Sequence, residues 1–223
     1  MREVARALIE TESVLIRPEE PFRLASGRIS PVYVDCRRLL SFPEERALIV
    51  EALARLVRTE LLGAQIEVLA GGETAGIPFA ALLAARLQMP MIYVRKAPKG
   101  YGRAAQIEGV LREGQRVLLV EDLVTDGGSK LAFREGIRRA GGVVEHCVCV
   151  FEYYSERAGL DVARRRLAEH GIRLHSLTHW DEILEELESR RTISPAEHET
   201  ILEFLRRLKR EADPPRPDST LPA

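Results

Sequence analysis

One segment constrains this chain more than any other: RVLLVEDLVTDGGSK, Arg116–Lys130. Four apolar residues, Val117 to Val120, run directly into Glu121 and Asp122, and a turn of Thr125, Asp126, Gly127, Gly128 and Ser129 follows. An uninterrupted apolar run suits a strand buried on both faces, and such strands belong to parallel sheets covered by helices. The same order recurs along the chain. Ile66–Ala70 leads through GGETAGIP into FAALLAARL, and Met91–Val94 leads into RKAPKGYGR. Val143–Phe151 precedes AGLDVARRRLAEHG, and IRLHSL comes next. Strand and helix alternating over short connections predict an α/β fold, a Rossmann-like parallel sheet flanked by helices.

The N-terminal part departs from that rhythm. Residues 1–12 read as a helix, FRLASGRISPVYVDCR (Phe22–Arg37) alternates like an antiparallel ribbon, and PEERALIVEALARLVRTELL is a strong amphipathic helix. Near the other end, Ser194 and Glu197 form a capping box with Pro195 at the first helical position. The expected division is a helix and hood segment over 1–40, an α/β core over 41–190, a helix over 191–212 and a frayed tail over 213–223.

With 223 residues and a formal net charge of -1, the chain is long enough for a substantial core and has no electrostatic footprint for nucleic acid or an anionic membrane. No apolar run approaches a membrane span, and MREVARALIETES carries acids where a signal peptide would not. Cys36, Cys147 and Cys149 form no CxxC pair; Cys147 and Cys149 alternate on one strand and read as buried thiols of a reducing compartment. The expectation is a cytoplasmic protein that engages neither nucleic acid nor membrane.

Ligands of open parallel sheets bind beyond the carboxyl ends of the strands. Glu121 and Asp122 stand at such an end, and the glycine-rich turn after them feeds a helix beginning near Ser129. Backbone N–H groups and the helix dipole converge there on an anion. Acids on one side and an anion cradle on the other suit a sugar phosphate. The spacing is that of neither a Walker A loop nor a GxGxxG dinucleotide motif.

VLLVEDLVTDGGS resembles the motif for 5-phosphoribosyl 1-diphosphate (PRPP) in type I phosphoribosyltransferases, in which four apolar residues, two acids and two apolar residues precede a Thr/Gly/Ser turn. FRLASGRISPVYVDCR, GGETAGIPFAALLA and YVRKAPKGYGRAAQIEG resemble orotate phosphoribosyltransferases in particular. The segments stand in the expected order. The resemblance implies a type I fold with a small N-terminal hood. It implies transfer of the phosphoribosyl group of PRPP to orotate in pyrimidine biosynthesis, by a cytoplasmic homodimer with magnesium.

It also implies roles. Glu121 and Asp122 would hold the ribose hydroxyls, directly or through magnesium-bound water, with no protein atom on the metal itself. Thr125, Asp126, Gly127, Gly128 and Ser129 would wrap the 5'-phosphate, Asp126 with its carboxylate turned away. The Gly71–Gly76 turn, with Glu73, Thr74 and Ala75, would receive the pyrophosphate. Arg95, Lys96, Lys99, Tyr101 and Arg103 belong to a basic loop, 95–109, that would complete the neighbouring subunit's active site. Lys99 would be its moving catalytic cation and Arg95 its fixed base; Lys96 and Asp122 complete the catalytic set. Ser26, Gly27, Arg28, Tyr33 and Thr125 would face the base. Arg28 reads equally as the cation for the orotate carboxylate and as a surface arginine beside a turn.

Ala25, Ala75, Tyr101 and Tyr153 stand where better-known relatives carry cations. A branch with redistributed contacts is one reading; a different base, or a regulator that senses PRPP or nucleotide without catalysis, are the others. Trp180 reads as an anchor of a helix against the sheet or a partner, and ARRRL (Ala163–Leu167) as a solvated helix face. His146, His170, His175, His179 and His198 show no metal-ligand spacing.

Overall fold

The computed structural model describes residues 2–24, 27–97 and 106–213. In chain order its elements are α1 (Arg2–Glu10), β1 (Val14–Ile16), β2 (Phe22–Arg23), β3 (Ile29–Ser30), β4 (Val32–Val34) and α2 (Pro43–Glu60). There follow β5 (Val68–Gly72), α3 (Gly76–Leu87), β6 (Met91–Val94), β7 (Ile107–Glu108), β8 (Arg116–Val124) and α4 (Gly128–Arg139). The chain continues through β9 (Val143–Glu152), α5 (Val162–Ala168), β10 (Arg173–His179), α6 (Trp180–Ser189) and α7 (Pro195–Ala212).

The main sheet has six strands in the order β10-β9-β8-β5-β6-β7, all parallel except for β7, which pairs antiparallel with β6. Its two faces carry separate cores, as the continuous apolar strands require. One face packs Leu118, Val120, Val148 and Val150 against α1, α2, α3, α6 and α7. The other packs Leu119, Cys147 and Cys149 against Phe133 and Ile137 of α4 and Leu167 of α5. Cys147 and Cys149 therefore share a face, as their alternation predicts, and all three cysteines are buried free thiols.

Two expected elements differ in detail. The Phe22–Arg37 ribbon is divided: β2 pairs with β3, but β4 pairs with β1. Pro31, without an N–H, ends the first ladder, and Ser30 Oγ donates to Val32 O at 2.6 Å across the corner. Strand β8 also extends beyond Val120 to Val124, because Leu123 still pairs with Phe151 of β9. The capping box of α7 forms as predicted: Glu197 N donates to Ser194 Oγ at 3.2 Å, and Ser194 N to Glu197 Oε2 at 2.9 Å.

Trp180, at the start of α6, is fully buried and meets Phe151 and Tyr153 edge-on with ring centroids 5.4 and 5.6 Å apart. It anchors α6 against the sheet. Trp180→Ala should cost about 3–5 kcal/mol of stability, measured as a lowered urea midpoint with an unchanged slope. A loss below about 1 kcal/mol would show that the cluster does not hold this layer together.

Candidate active site

The chain enters the main sheet at β5, steps outward to β6 and β7, then returns to the other side of β5 as β8. The strand order thus reverses between β5 and β8, and ligand crevices open at such a point. Two turns meet there, Glu73–Ala75 before α3 and Thr125–Gly127 before α4.

Glu121 and Asp122 lie within the last turns of β8, and successive strand residues point to opposite faces. The acids therefore part. Glu121 turns toward α4, where its Oε2 lies 2.8 Å from Lys130 Nζ. Lys130 also donates to Ser129 Oγ at 3.1 Å, on the loop itself. Glu121 is 4% exposed and Lys130 7%. Glu121 Oε1 has no hydrogen-bond partner among the described residues. It occupies space that only glycine leaves open: a Cβ on Gly72 would stand 1.7 Å from it, and one on Gly76 3.0 Å.

Asp122 stays partly exposed and lies on the side of Cys36 and Arg37. Burial lifts both carboxyls above their ordinary range, while the Lys130 ammonium pulls both back down. Burial also works against the charge on Lys130, but Glu121 outweighs it and holds the ammonium above its ordinary value. Each charge of the pair therefore depends on the other.

The turn after β8 leads directly into α4, but its Asp126 carboxylate is not turned away from the loop amides as expected. Gly127 adopts φ +77°, open to glycine at little cost, and caps α4. Thr125 and Ser129 are exposed. The Asp126 carboxylate accepts Gly128 N–H at 3.1 Å through Oδ1 and Arg166 Nη1 at 3.0 Å through Oδ2. It is turned into the loop's own amides and toward α5.

The turn after β5 is tied to the basic stretch. Glu73 Oε2 accepts the Lys96 N–H at 2.7 Å, so this carboxylate fixes the base of the stretch. Thr74 is exposed, and Ala75 leads into α3. Arg95 N donates to Gln106 O at 2.9 Å and Gln106 Nε2 to Arg95 O at 2.8 Å, which pins the two ends together. Lys96 is exposed, while Arg95 Nε is buried with no hydrogen-bond partner among the described residues. Lys99, Tyr101 and Arg103, together with Ala25 and Ser26 of the hood, lie outside the described residues.

In the hood, Gly27 takes φ +81° and donates to Leu24 O at 2.8 Å, forming the tip of the β2–β3 hairpin. Tyr33 packs on Phe22 at 5.6 Å and accepts from Arg37 at 3.5 Å. Arg28 pairs with Glu211 of α7 at 2.8 Å. Between hood, core and α7 opens a cleft of about 750 Å³, lined by Arg28, Thr125, Asp126, Tyr153, Phe204 and Glu211 among others. Tyr153 is buried, which pushes its hydroxyl above the usual tyrosine range, and the Arg28 charge works weakly against that rise.

Two features escaped the sequence. Lys130 follows the turn directly, yet only the fold shows that it returns to Glu121. ARRRL is not simply a solvated face. Arg164 neutralises the fully buried Glu152 at 2.9 Å and stacks on Tyr154, and Arg166 reaches the loop. The buried carboxylate that demands such a partner is invisible in the helix's own pattern.

A six-strand sheet of this order, with an acid-ended strand feeding a glycine turn, defines a phosphoribosyltransferase. The family model "Phosphoribosyl transferase domain" matches residues 37–172. The orotate phosphoribosyltransferase of Cereibacter sphaeroides (strain ATCC 17029 / ATH 2.4.9) is 52% identical over 187 residues, covering 83% of this chain and 78% of that protein. Among solved structures, orotate phosphoribosyltransferase from Aeropyrum pernix superposes with TM-score 0.71 and 34% identity, over 83% of this chain and 98% of that one. UMP synthase from Leishmania donovani superposes with TM-score 0.76 and 26% identity, over 92% of this chain but 42% of that one. The chain belongs to the orotate phosphoribosyltransferase family.

The buried pair makes a titration prediction. A lysine whose folded value is raised contributes stability that is complete below its unfolded pKa and lost as pH climbs through the folded one. The stability advantage of the wild type over Lys130→Met should therefore be constant at neutral pH and shrink above pH 10.5, the ordinary lysine value. Urea unfolding from pH 8 to 11 reads it; an advantage independent of pH would contradict an ionised pair.

Proposed function

We propose that the chain transfers the phosphoribosyl group of PRPP to orotate at the crevice between β5 and β8, releasing orotidine 5'-monophosphate and pyrophosphate. The observation that carries the reading is Asp122, a partly exposed acid at the end of β8, followed at once by the Gly127 cap of α4. One segment offers an acceptor for sugar hydroxyls and a helix N-terminus for the 5'-phosphate.

Displacement at the anomeric carbon passes through a state of oxocarbenium character, as in glycoside hydrolysis. The leaving group is a highly charged pyrophosphate, so the main work is electrostatic. Asp122 takes the ribose hydroxyls, and Glu121, buried beneath Gly72, positions the start of α4 through Lys130. Thr125, Gly127, Gly128 and Ser129 cradle the 5'-phosphate. For Gly128 N–H to join, the Asp126 carboxylate must swing toward Arg166, which already holds it. The Gly71–Gly76 turn receives the pyrophosphate, with Arg95 and Lys96 at its edge and Lys99 as the cation that closes over it.

Orotate is flat and anionic, and the cleft beside Thr125 answers it. Arg28 faces the carboxylate, Phe204 and Tyr153 supply apolar cover, and Gly27 forms the hairpin tip beside them. Magnesium fits as an ion carried in by the substrate. The partly exposed Asp122 carboxylate suits an ion that prefers phosphates and its own waters. When bound it adds positive charge to the diphosphate. A cytoplasmic homodimer, with 95–109 completing the partner's site, is the assembly the reading requires. Among the described residues no helix is long and apolar enough to cross a membrane.

Purified protein given PRPP, orotate and magnesium should consume orotate, followed by its ultraviolet absorbance; no turnover would sink the reading, and turnover with adenine or uracil alone would move it to another base. Asp122→Asn should lower kcat/KM for PRPP about 10- to 100-fold, the worth of a charged hydrogen bond. An unchanged value would remove Asp122 from the sugar.

A further inference from the structure

Every arginine lining the cleft already holds a carboxylate. Arg28 pairs with Glu211 at 2.8 Å, Arg165 with Asp213 and Asp161, and Arg166 with Asp126 at 3.0 Å. Two of those acids, Glu211 and Asp213, come from the end of α7. The helix is fixed in place: Ile201, Leu202, Phe204 and Leu205 are buried in the core, and Arg207 donates to Ile29 O of the hood at 2.8 Å. Glu211 stands at the end of this anchored helix, and its carboxylate is shared between Arg28 and Arg207, 3.7 Å away on the same helix.

Both members of the Arg28–Glu211 pair are about half exposed, 42% and 44%. Exposed ion pairs of this kind are weak, so an incoming carboxylate can replace one partner at little cost. A base without a carboxylate cannot. It would leave Glu211 on the arginine, with an acid projecting into the space the ring needs. Selection against the wrong ligand by an occupied charge is a recognised route to specificity.

We propose that Glu211 is a specificity-determining residue that occupies Arg28 until the carboxylate of the base displaces it, so that the C-terminal helix filters for anionic pyrimidines. The proposal rests on the assignment of Arg28 to the orotate carboxylate. It gives α7 a task in the reaction beyond packing. The charge it contributes is removed without touching Arg28 by Glu211→Gln, and Glu211 lies in the last turn of an exposed helix face, where the change should not disturb folding.

The test is steady-state kinetics of wild type, Glu211→Gln, Arg28→Gln and the double variant, each checked for an unchanged melting temperature. Glu211→Gln should lower KM for orotate about two- to fivefold, the range an exposed pair can supply, and leave KM for PRPP as it was. Arg28→Gln should raise KM for orotate at least about tenfold. In its presence Glu211→Gln should have no further effect, because the competitor has lost its target. If Arg28→Gln leaves orotate KM unchanged, the assignment of Arg28 fails and the filter with it. If Arg28→Gln has its effect but Glu211→Gln leaves KM unchanged or raises it, the filter alone is overturned.

Discussion

The site depends on one electrostatic constraint: a carboxylate, Glu121, kept charged in a place almost without water. It is 4% exposed, and its ion pair with Lys130 spans 2.8 Å. Removing either charge would strand the other, which is the costly state for a buried pair. The pair joins the end of β8 to the first turn of α4 and so fixes the loop between them. Its geometry also dictates residues elsewhere. Gly72 must lack a side chain because Glu121 Oε1 fills the space where its Cβ atom would be, and Gly76 because the Val120 carbonyl stands 2.4 Å from the corresponding position. The glycines of the turn after β5 are thus constrained from below by β8 as well as from above by any anion.

Much of the fold was legible in the sequence because local signals agreed with the global arrangement. Met91–Val94 forms as read, bounded by Pro90 before it and Arg95 after it. The α7 capping box forms because Ser194, Pro195 and Glu197 satisfy the helix end locally. The strand positions of Cys147 and Cys149 follow from a period of two. What was not legible depends on contacts between distant segments. Strand β8 outruns its apolar stretch because β9 continues to pair beside it. Lys130 matters through Glu121 on the preceding strand, and Arg164 through Glu152 at the end of β9. No periodicity within one element reports a partner on another.

The site was legible in its chemistry but not in its layout. Glu121 and Asp122 read as one pair gripping a sugar, yet the pleat of β8 sends them to opposite sides, leaving Asp122 the more accessible. The Glu73 carboxylate also holds the Lys96 amide, a link between two turns that neither segment announces. Arg28 read equally as surface or site, and the fold places it on the cleft near Tyr153. That arrangement favours a branch with redistributed contacts over a loss of chemistry, in accord with the 52% identity to a named orotate phosphoribosyltransferase.

The central claim is spatial: the acid end of β8 and the amide end of α4 together hold one sugar phosphate. A crystal structure with orotidine 5'-monophosphate bound tests it most directly. The account predicts the 5'-phosphate against the amides of Gly127–Ser129, a ribose hydroxyl within hydrogen-bond distance of Asp122, and the Glu121–Lys130 pair intact. A nucleotide seated elsewhere, or Asp122 turned away from the ribose, would contradict it.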